Sequence, residues 1–539
     1  MLSLFSNSCR GYVSHRAKRS IRNLRKYATQ PVAVEIPLTE TPIAKEPKLI
    51  IKCKNSALDF YDAPQNQHNH FTPIVLASRG WLHRKSANDY FILYPDGSPE
   101  SPSTDLDPTI TFEESNLSRQ ILDNLKENDL KYPSAIQRKS IPVLLSGKNS
   151  VIAAETGCGK TLAYLLPVLE QITRWKHLSP DRNVNAPLGL ILSPSRDLTS
   201  QLGAVAKKIA ADTGIKIRVV IGGKTKQQMI NPLVDDIDLL IGSFGAVSKL
   251  TSSSVYDMTF VRHVVLDEAD TLFDESFVAQ LRHFLKKIRF SFAGPEYPDE
   301  FPRSSQMTLV SATMPHSLPE VLDEIVNTDS LTHLTSEKLH HVLPQVTQKF
   351  IRLSQSARAP EILRIVKGNI AKGWQTLVFC NTTKSAEWLF LFLSEMGIRC
   401  CCTHGAVPAR LRLDKFAQFQ HGEVSVLTTT DACSRGLDTV NVRHVVNFDF
   451  PLYTADYIHR CGRTGRLGNN ERCYITNFIS SERDVKLLQR IEESIRTSSP
   501  LPNVNANITK IIINTIQHNI NKAKKQATAH YGADILAKR

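Results

Sequence analysis

Val264-Val265-Leu266-Asp267-Glu268-Ala269-Asp270 sets three residues of the buried type directly before a cluster of carboxylates. Such a run reads as a core strand that delivers acids to the edge of a sheet, where open α/β domains bind their ligands. Strands often end in acids, so the run gains its meaning from what lies upstream. There, Ala154-Glu155-Thr156-Gly157-Cys158-Gly159-Lys160-Thr161 follows the apolar run Ser150-Val151-Ile152-Ala153 and precedes a helical pattern from Leu162 to Ile172. A glycine loop between strand and helix turns backbone N–H groups towards phosphates, with Lys160 reaching their terminal charge and Thr161 holding magnesium. With Asp267 as a second metal-side ligand and Glu268 placed to orient water, the two stretches describe a nucleoside triphosphatase.

A chain of 539 residues is too long for one core, so two or three domains are expected. Hydrophobic content of 41% with 22% charged residues fits a globular protein. No apolar run approaches the ~18 residues of a membrane span, so no membrane insertion is expected. The ten cysteines include Cys400-Cys401-Cys402 but no paired CxxC sets, which favours reduced, packed thiols over a disulfide frame or a zinc site.

The net charge of +14 points to a polyanionic partner, but its distribution is uneven. Residues 1–27 hold Arg10, Arg16, Lys18, Arg19, Arg22, Arg25 and Lys26, several serines and no acid, the composition of a mitochondrial transit peptide. Arg25-Lys26-Tyr27-Ala28 also looks like a matrix-processing junction. A nuclear-localisation or RNA-binding arm has a similar composition, so a nuclear pool stays open. Cleavage after Tyr27 leaves 59 basic and 52 acidic residues, a balance of only +7. Nucleic-acid binding then needs a localised groove and not bulk charge.

Residues 28–111 form an extension and linker with a possible strand at Val32–Ile36. Trp81, His83, Arg84, Lys85, Tyr90, Phe91 and Tyr94 interleave basic and aromatic residues, a set that either stacks bases or packs the extension onto its own domain. The Pro/Ser/Asp stretch from Pro95 to Pro108 reads as a linker. Over 112–335, apolar runs at 150–154, 188–193, 217–221, 237–241, 263–266 and 307–311 alternate with helical stretches, which predicts a parallel sheet wound on both faces. Over 340–497 the alternation restarts, with runs at 376–380, 398–402, 424–428, 443–448 and 473–478, and no phosphate loop. The basic tail 498–539 places Ile508, Ile512, Ile516 and Ile520 on one helical face.

The ordered set of motifs resembles the DEAD-box RNA helicases. It runs from Phe112 through Pro133-Ser134-Ala135-Ile136-Gln137, the phosphate loop, Pro194-Ser195-Arg196-Asp197-Leu198 and Gly222-Gly223 to Asp-Glu-Ala-Asp at 267–270 and Ser311-Ala312-Thr313. It continues with Asp431, Arg435-Gly436-Leu437-Asp438 and His459-Arg460-Cys461-Gly462-Arg463-Thr464-Gly465-Arg466. The resemblance implies two tandem RecA-like domains that close on ATP, Mg2+ and RNA together. It implies an adenine site at Phe112 and Gln137, a ribose contact at Asp438, and arginine fingers at Arg463 and Arg466. It also implies a coupling network of Asp270, Ser311, Thr313 and His459, and a phosphate-tracking RNA face at Arg196, Gly223, Ser243, Arg412 and Thr430. None of those five is placed to read bases, so sequence-independent RNA binding is expected, and the resemblance implies local unwinding.

The sequence departs from the family at three places. Asp129-Leu130 replaces Gly-Phe, Ser243-Phe244-Gly245-Ala246 replaces Thr-Pro-Gly-Arg, and Ala409-Arg410-Leu411-Arg412 replaces Gln-x-x-Arg. All three spare the ATP site, and two lie on the RNA side. The transit-like start, the Trp81 to Tyr94 block and the length look most like a mitochondrial branch of the family, associated with assembly of the large mitoribosomal subunit. That likeness implies ribosomal RNA and mitoribosomal assembly intermediates as partners, for a protein expected to act as a monomer. An ATP-locked RNA clamp with little unwinding is the alternative activity.

Overall fold

The computed structural model describes residues 48–61, 74–96, 106–107, 109–178, 181–223, 225–273, 275–291, 300–313, 322, 325–328, 331–336, 339–343, 345–434, 439, 441–466, 471–497, 499–502 and 504. The stretch 1–27, the strand expected at Val32–Ile36, Asp438 and the isoleucine-spaced tail lie outside the described residues.

The extension forms three strands, β1 (Lys48–Cys53), β2 (Phe60–Tyr61) and β3 (Tyr90–Asp96). The first domain follows with β4 (Ser150–Ala153), β5 (Gly189–Ser193), β6 (Ile217–Val220), β7 (Leu239–Ser243), β8 (His263–Asp267), β9 (Gln306–Ser311) and β10 (Thr332–Thr335). These pair in the order β10-β4-β9-β8-β5-β7-β6, every pair parallel. Because strand side chains alternate between faces, Ile152, Ile191, Val265 and Val310 enter one core while Val151, Leu190, Val264 and Leu309 enter the other. The first core takes helices Ala135–Leu145, Lys160–Leu178 and Arg196–Ile209, and the second takes Phe244–Ser252 and Glu275–Leu285. Both faces are buried, which is why these strands read as unbroken apolar runs.

The second domain contains β11 (Thr347–Arg352), β12 (Gln375–Cys380), β13 (Cys400–Thr403), β14 (Val426–Thr430), β15 (Val442–Asn447) and β16 (Tyr474–Ile479). Its parallel order β13-β14-β12-β15-β16-β11 continues antiparallel into β3-β1-β2. The extension therefore packs not on the domain that follows it in sequence but on the one beyond. Phe91 of β3 stacks on Phe350 of β11, with ring centroids 4.8 Å apart, and Trp81 packs on Phe91 at 5.8 Å. Trp81 and Phe91 are buried, so of the two roles open to that block the packing role holds for these rings. Leu501 and Val504 join the same core, where the start of the tail docks.

The nine described cysteines are all free thiols, seven of them buried, and burial raises the pKa of Cys401 and Cys402. No helix among the described residues is long and apolar enough to cross a membrane.

Candidate active site

The phosphate loop leaves β4 and turns into the helix Lys160–Leu178. Gly157 and Gly159 have φ of 86° and 90°, values that L side chains rarely adopt. Space excludes a side chain there as well: a Cβ on Gly159 would lie 2.5 Å from Gln137 Nε2. Gln137 donates from Nε2 to Gly159 O at 2.9 Å and accepts from Ser134 N at 2.9 Å, while Ser134 Oγ donates to Cys158 O at 2.8 Å. Gln137, expected at the adenine site, is thus tied to the phosphate loop. Phe112 is 4% exposed and packs in the core with Ile136 and Cys158, so most of its ring is spent on its own domain. Lys160 Nζ donates to Ala154 O and Glu155 O, both at 2.7 Å, which holds the ammonium inside the loop's curve.

The acids arrive at the same end of the sheet from β8, which β9 separates from β4. Asp267 ends β8 and accepts from Tyr164 OH at 2.9 Å and from Glu268 N at 2.9 Å. Burial, and then the adjacent Glu268, push its carboxyl up to about 6. Glu268 sits in the left-handed region at φ 50°, and its Oε2 is buried without a hydrogen-bond partner. Thr156 Oγ1 is likewise buried and unpartnered. Buried polar atoms are ordinarily satisfied, so these two fit a site completed by a phosphate and its attacking water. Thr161 and Asp267 suit magnesium, which keeps most of its own water and asks for few protein oxygens. No group of three acidic, histidine or cysteine ligands occurs among the described residues, so a closed protein cage for a metal is not built there.

The second domain reaches across this site. His459 Nε2 lies 3.0 Å from Asp270 Oδ2, and the same oxygen accepts from Thr313 Oγ1. Thr313 N in turn donates to Ser311 Oγ at 3.1 Å, so the four expected coupling residues form one connected network. Arg463 is 3% exposed and donates from Nε to His459 O at 3.1 Å. Arg466 lies against the phosphate loop: a Cβ on Gly157 would come within 2.8 Å of Arg466 Cγ. A Cβ on Gly462 would overlap Thr156 Oγ1, so the domains touch where only glycine fits.

On the other side of the interface, Arg196 Nε and Nη2 lie 2.9 and 3.1 Å from where a Cβ on Gly222 would be, so its guanidinium rests on the Gly222-Gly223 turn. Gly223 has φ 108°. Ser243 and Thr430 stand at strand ends, 6% and 8% exposed. Arg412 is 3.6 Å from Asp197, a partner that motif reading did not supply. Also missed were Tyr164, signalled by its position three residues after Thr161 on one helical face, and the buried Arg460, bidentate to Asp431 at 2.6 and 2.7 Å.

Two of the three departures have physical reasons. Asp129 has φ 55°, the left-handed position after helix Arg119–Glu127 that glycine would fill, and Leu130 N closes the turn on Leu125 O at 2.9 Å. Phe244 is fully buried, edge-on to Phe284, and Ala246 is 3% exposed in the same core.

Two parallel α/β domains, one giving a phosphate loop and carboxylates and the other arginines, define a two-domain nucleoside triphosphatase. Residues 134–321 match the family described as DEAD/DEAH box helicase, and residues 357–468 the helicase conserved C-terminal domain. The chain is 36% identical over 444 residues to the probable ATP-dependent RNA helicase DDX28 of Mus musculus, covering 80% of this chain and 82% of that one. Identity to the Homo sapiens protein of the same name is 34%, with the same coverage. The fold also matches S. cerevisiae Dbp5 bound to RNA and ADP BeF3, with TM-score 0.60, 24% identity, and 71% and 93% of the two chains covered. Mss116p bound to ssRNA and AMP-PNP matches with TM-score 0.60 and 23% identity, covering 76% and 85%. The chain belongs to the DEAD-box family of ATP-dependent RNA helicases.

Proposed function

We propose that this chain hydrolyses ATP with Mg2+ to remodel or locally unwind RNA, and that its substrate is ribosomal RNA during assembly of the large mitoribosomal subunit. The observation that carries the catalytic part is Asp270, whose one oxygen is shared by Thr313 of its own domain and His459 of the other. A contact of this kind ties the hydrolytic carboxylates to the relative position of the domains. Glu268 orients the attacking water through its unpartnered oxygen, Lys160 binds the terminal phosphate, and Arg463 and Arg466 neutralise the charge that develops there. Thr161 and Asp267 would hold magnesium, which would supply charge neutralisation at the phosphates. Arg196, Gly223, Ser243, Arg412 and Thr430 follow one RNA backbone. The mitochondrial assignment is supported by the acid-free basic stretch 1–27.

An ATP-locked clamp is the second reading, favoured by the loss of the arginine and glutamine that the family carries at positions 246 and 409. Steady-state ATP hydrolysis with RNA, without RNA and with matched DNA tests the first. Stimulation by RNA alone is expected, and Glu268→Gln should abolish turnover while ATP still binds. An RNA-independent rate would remove the coupled site. Duplex release slower than hydrolysis by orders of magnitude would favour the clamp. Deleting 1–27 should abolish import, and retained import would reassign that stretch.

A further inference from the structure

The extension carries its aromatic rings inward and its cations outward. Trp81 and Phe91 are buried against the second domain, whereas Arg79 and Lys85 are exposed and form no ion pair among the described residues. The turn that bears Arg79 is held by Glu492, a carboxylate with no exposure at all. It accepts from Ala77 N at 2.6 Å, Ser78 N at 3.0 Å and Ser78 Oγ at 2.6 Å, and pairs with Arg496 at 2.9 Å. A charge buried this completely tolerates little displacement, because each lost donor leaves it unsatisfied. Gln489 Nε2 closes the junction on Ser78 O at 3.2 Å. Arg79 therefore sits beside the helix Glu482–Arg496 at the turn that bears Arg490, which is also exposed and forms no ion pair among the described residues. Lys486 lies four residues before Arg490 and Arg483 three before that, on the same helical face. The acids on this face are Glu482, paired with Lys486 at 2.6 Å, and Glu493. On this face Arg79, Arg483, Lys486 and Arg490 stand against two acids, which leaves it positive, and Lys85 is exposed on the same extension.

With a charge balance of only +7 outside residues 1–27, such a concentration of cations is a local feature and not a consequence of bulk charge. We propose that the extension and the last helix of the second domain together form a second RNA-binding surface, which takes the phosphodiester backbone of a folded RNA while the cleft acts on a single strand. The rings of Trp81 and Phe91 are spent in the core, so it is a backbone site without sequence preference. This rests on the RNA-dependent reading given above.

The test uses the full chain with Arg79, Lys85 and Arg490 changed together to Gln, and two probes: a short single-stranded RNA and the same strand joined to a stable hairpin. Wild type should bind the hairpin probe more tightly than the single strand. In the triple variant hairpin affinity should fall about tenfold, and the slope of log affinity against log salt should drop by about two to three. ATPase driven by saturating single strand should stay within about twofold of wild type. Glu482→Gln with Glu493→Gln should act in the opposite sense and tighten the hairpin probe. An unchanged affinity and slope for the hairpin, or an equal loss on both probes, would overturn the proposal. Absence of any RNA stimulation in wild type would instead overturn the helicase reading.

Discussion

Asp197 Oδ2 and Arg412 Nε, from different domains, meet at 3.6 Å with side chains only 7% and 15% exposed. Burial raises the pKa of Asp197 even though Arg412 and Arg196 oppose it. The distance is that of an ion pair and not of a hydrogen bond, and Asp197 Oδ1 has no partner. Because the pair exists only with the domains together, its energy belongs to closure. Asp197→Asn should therefore weaken RNA binding about tenfold in the presence of a non-hydrolysable ATP analogue, and little without nucleotide. Combined with Arg412→Gln, it should add nothing to the loss from Arg412→Gln alone. Additive losses in that double-mutant cycle would mean that the two residues act independently.

A similar dependence on closure is expected at Gly462. A methyl group there would overlap Thr156 Oγ1, and the two residues belong to different domains. Gly462→Ala should leave the thermal unfolding of each domain nearly unchanged while lowering RNA-stimulated ATPase by at least about tenfold, since the domains cannot approach. His459→Ala should lose stimulation to a similar degree through the broken contact with Asp270. If either variant instead changed only the affinity for ATP, the contacts would be nucleotide contacts and not coupling ones.

Most of the parallel architecture was legible because both faces of each central strand are buried, so that Leu239-Leu240-Ile241 or Val264-Val265-Leu266 stand out without any alternation. The strands β10 and β11 were not legible. Thr332-His333-Leu334-Thr335 is an edge strand with one buried residue, and Thr347–Arg352 mixes polar residues with Phe350 and Ile351. The extension's destination was hidden for a different reason. Nothing local in Tyr90-Phe91-Ile92-Leu93 says that its partner lies far along the chain at Phe350. In the site, motif spacing picked out residues that the fold brings together around the phosphate loop and the domain interface, such as Asp270, His459 and Arg466, but not supporting groups such as Tyr164 and Asp197, whose role depends on which surfaces the fold brings together.

Each sheet also contains one buried histidine. His263 lies between Gln171 Oε1 at 2.6 Å and Thr308 Oγ1 at 2.8 Å in the first domain, and His444 between Asn369 Nδ2 at 2.9 Å and Thr476 Oγ1 at 2.9 Å in the second. Burial depresses both to about 3. A folded-state pKa below the unfolded value near 6.5 means that the unfolded chain binds the proton more readily as pH falls. Both domains should then be at full stability, as far as these groups act, above pH ~6.5, and lose on the order of 1 kcal/mol per pH unit for each histidine between there and pH ~3. Denaturant unfolding followed from pH 7 to 4 checks this. His263→Gln should flatten the slope of the first domain alone, and a slope unchanged in that variant would assign acid sensitivity to other groups.

Glu492 should be the residue on which the attachment of the extension depends. Its carboxylate is fully buried and holds the turn Ala77–Gly80 through three donors besides Arg496. Glu492→Ala removes the acceptor and leaves both the Ser78 hydroxyl and the Arg496 guanidinium buried without it, a change expected to cost about 3–5 kcal/mol. The loss should appear in the second domain, whose edge strand β11 and Phe350 are otherwise covered by β3. Amide exchange should accelerate along β1, β3 and β11 while the first-domain strands keep their protection. Deleting residues 48–96 should go further, because it exposes an unpaired strand edge beside an aromatic core, and the shortened chain should aggregate. A soluble deletion with full RNA-stimulated ATPase would show that the second domain closes its sheet without the extension.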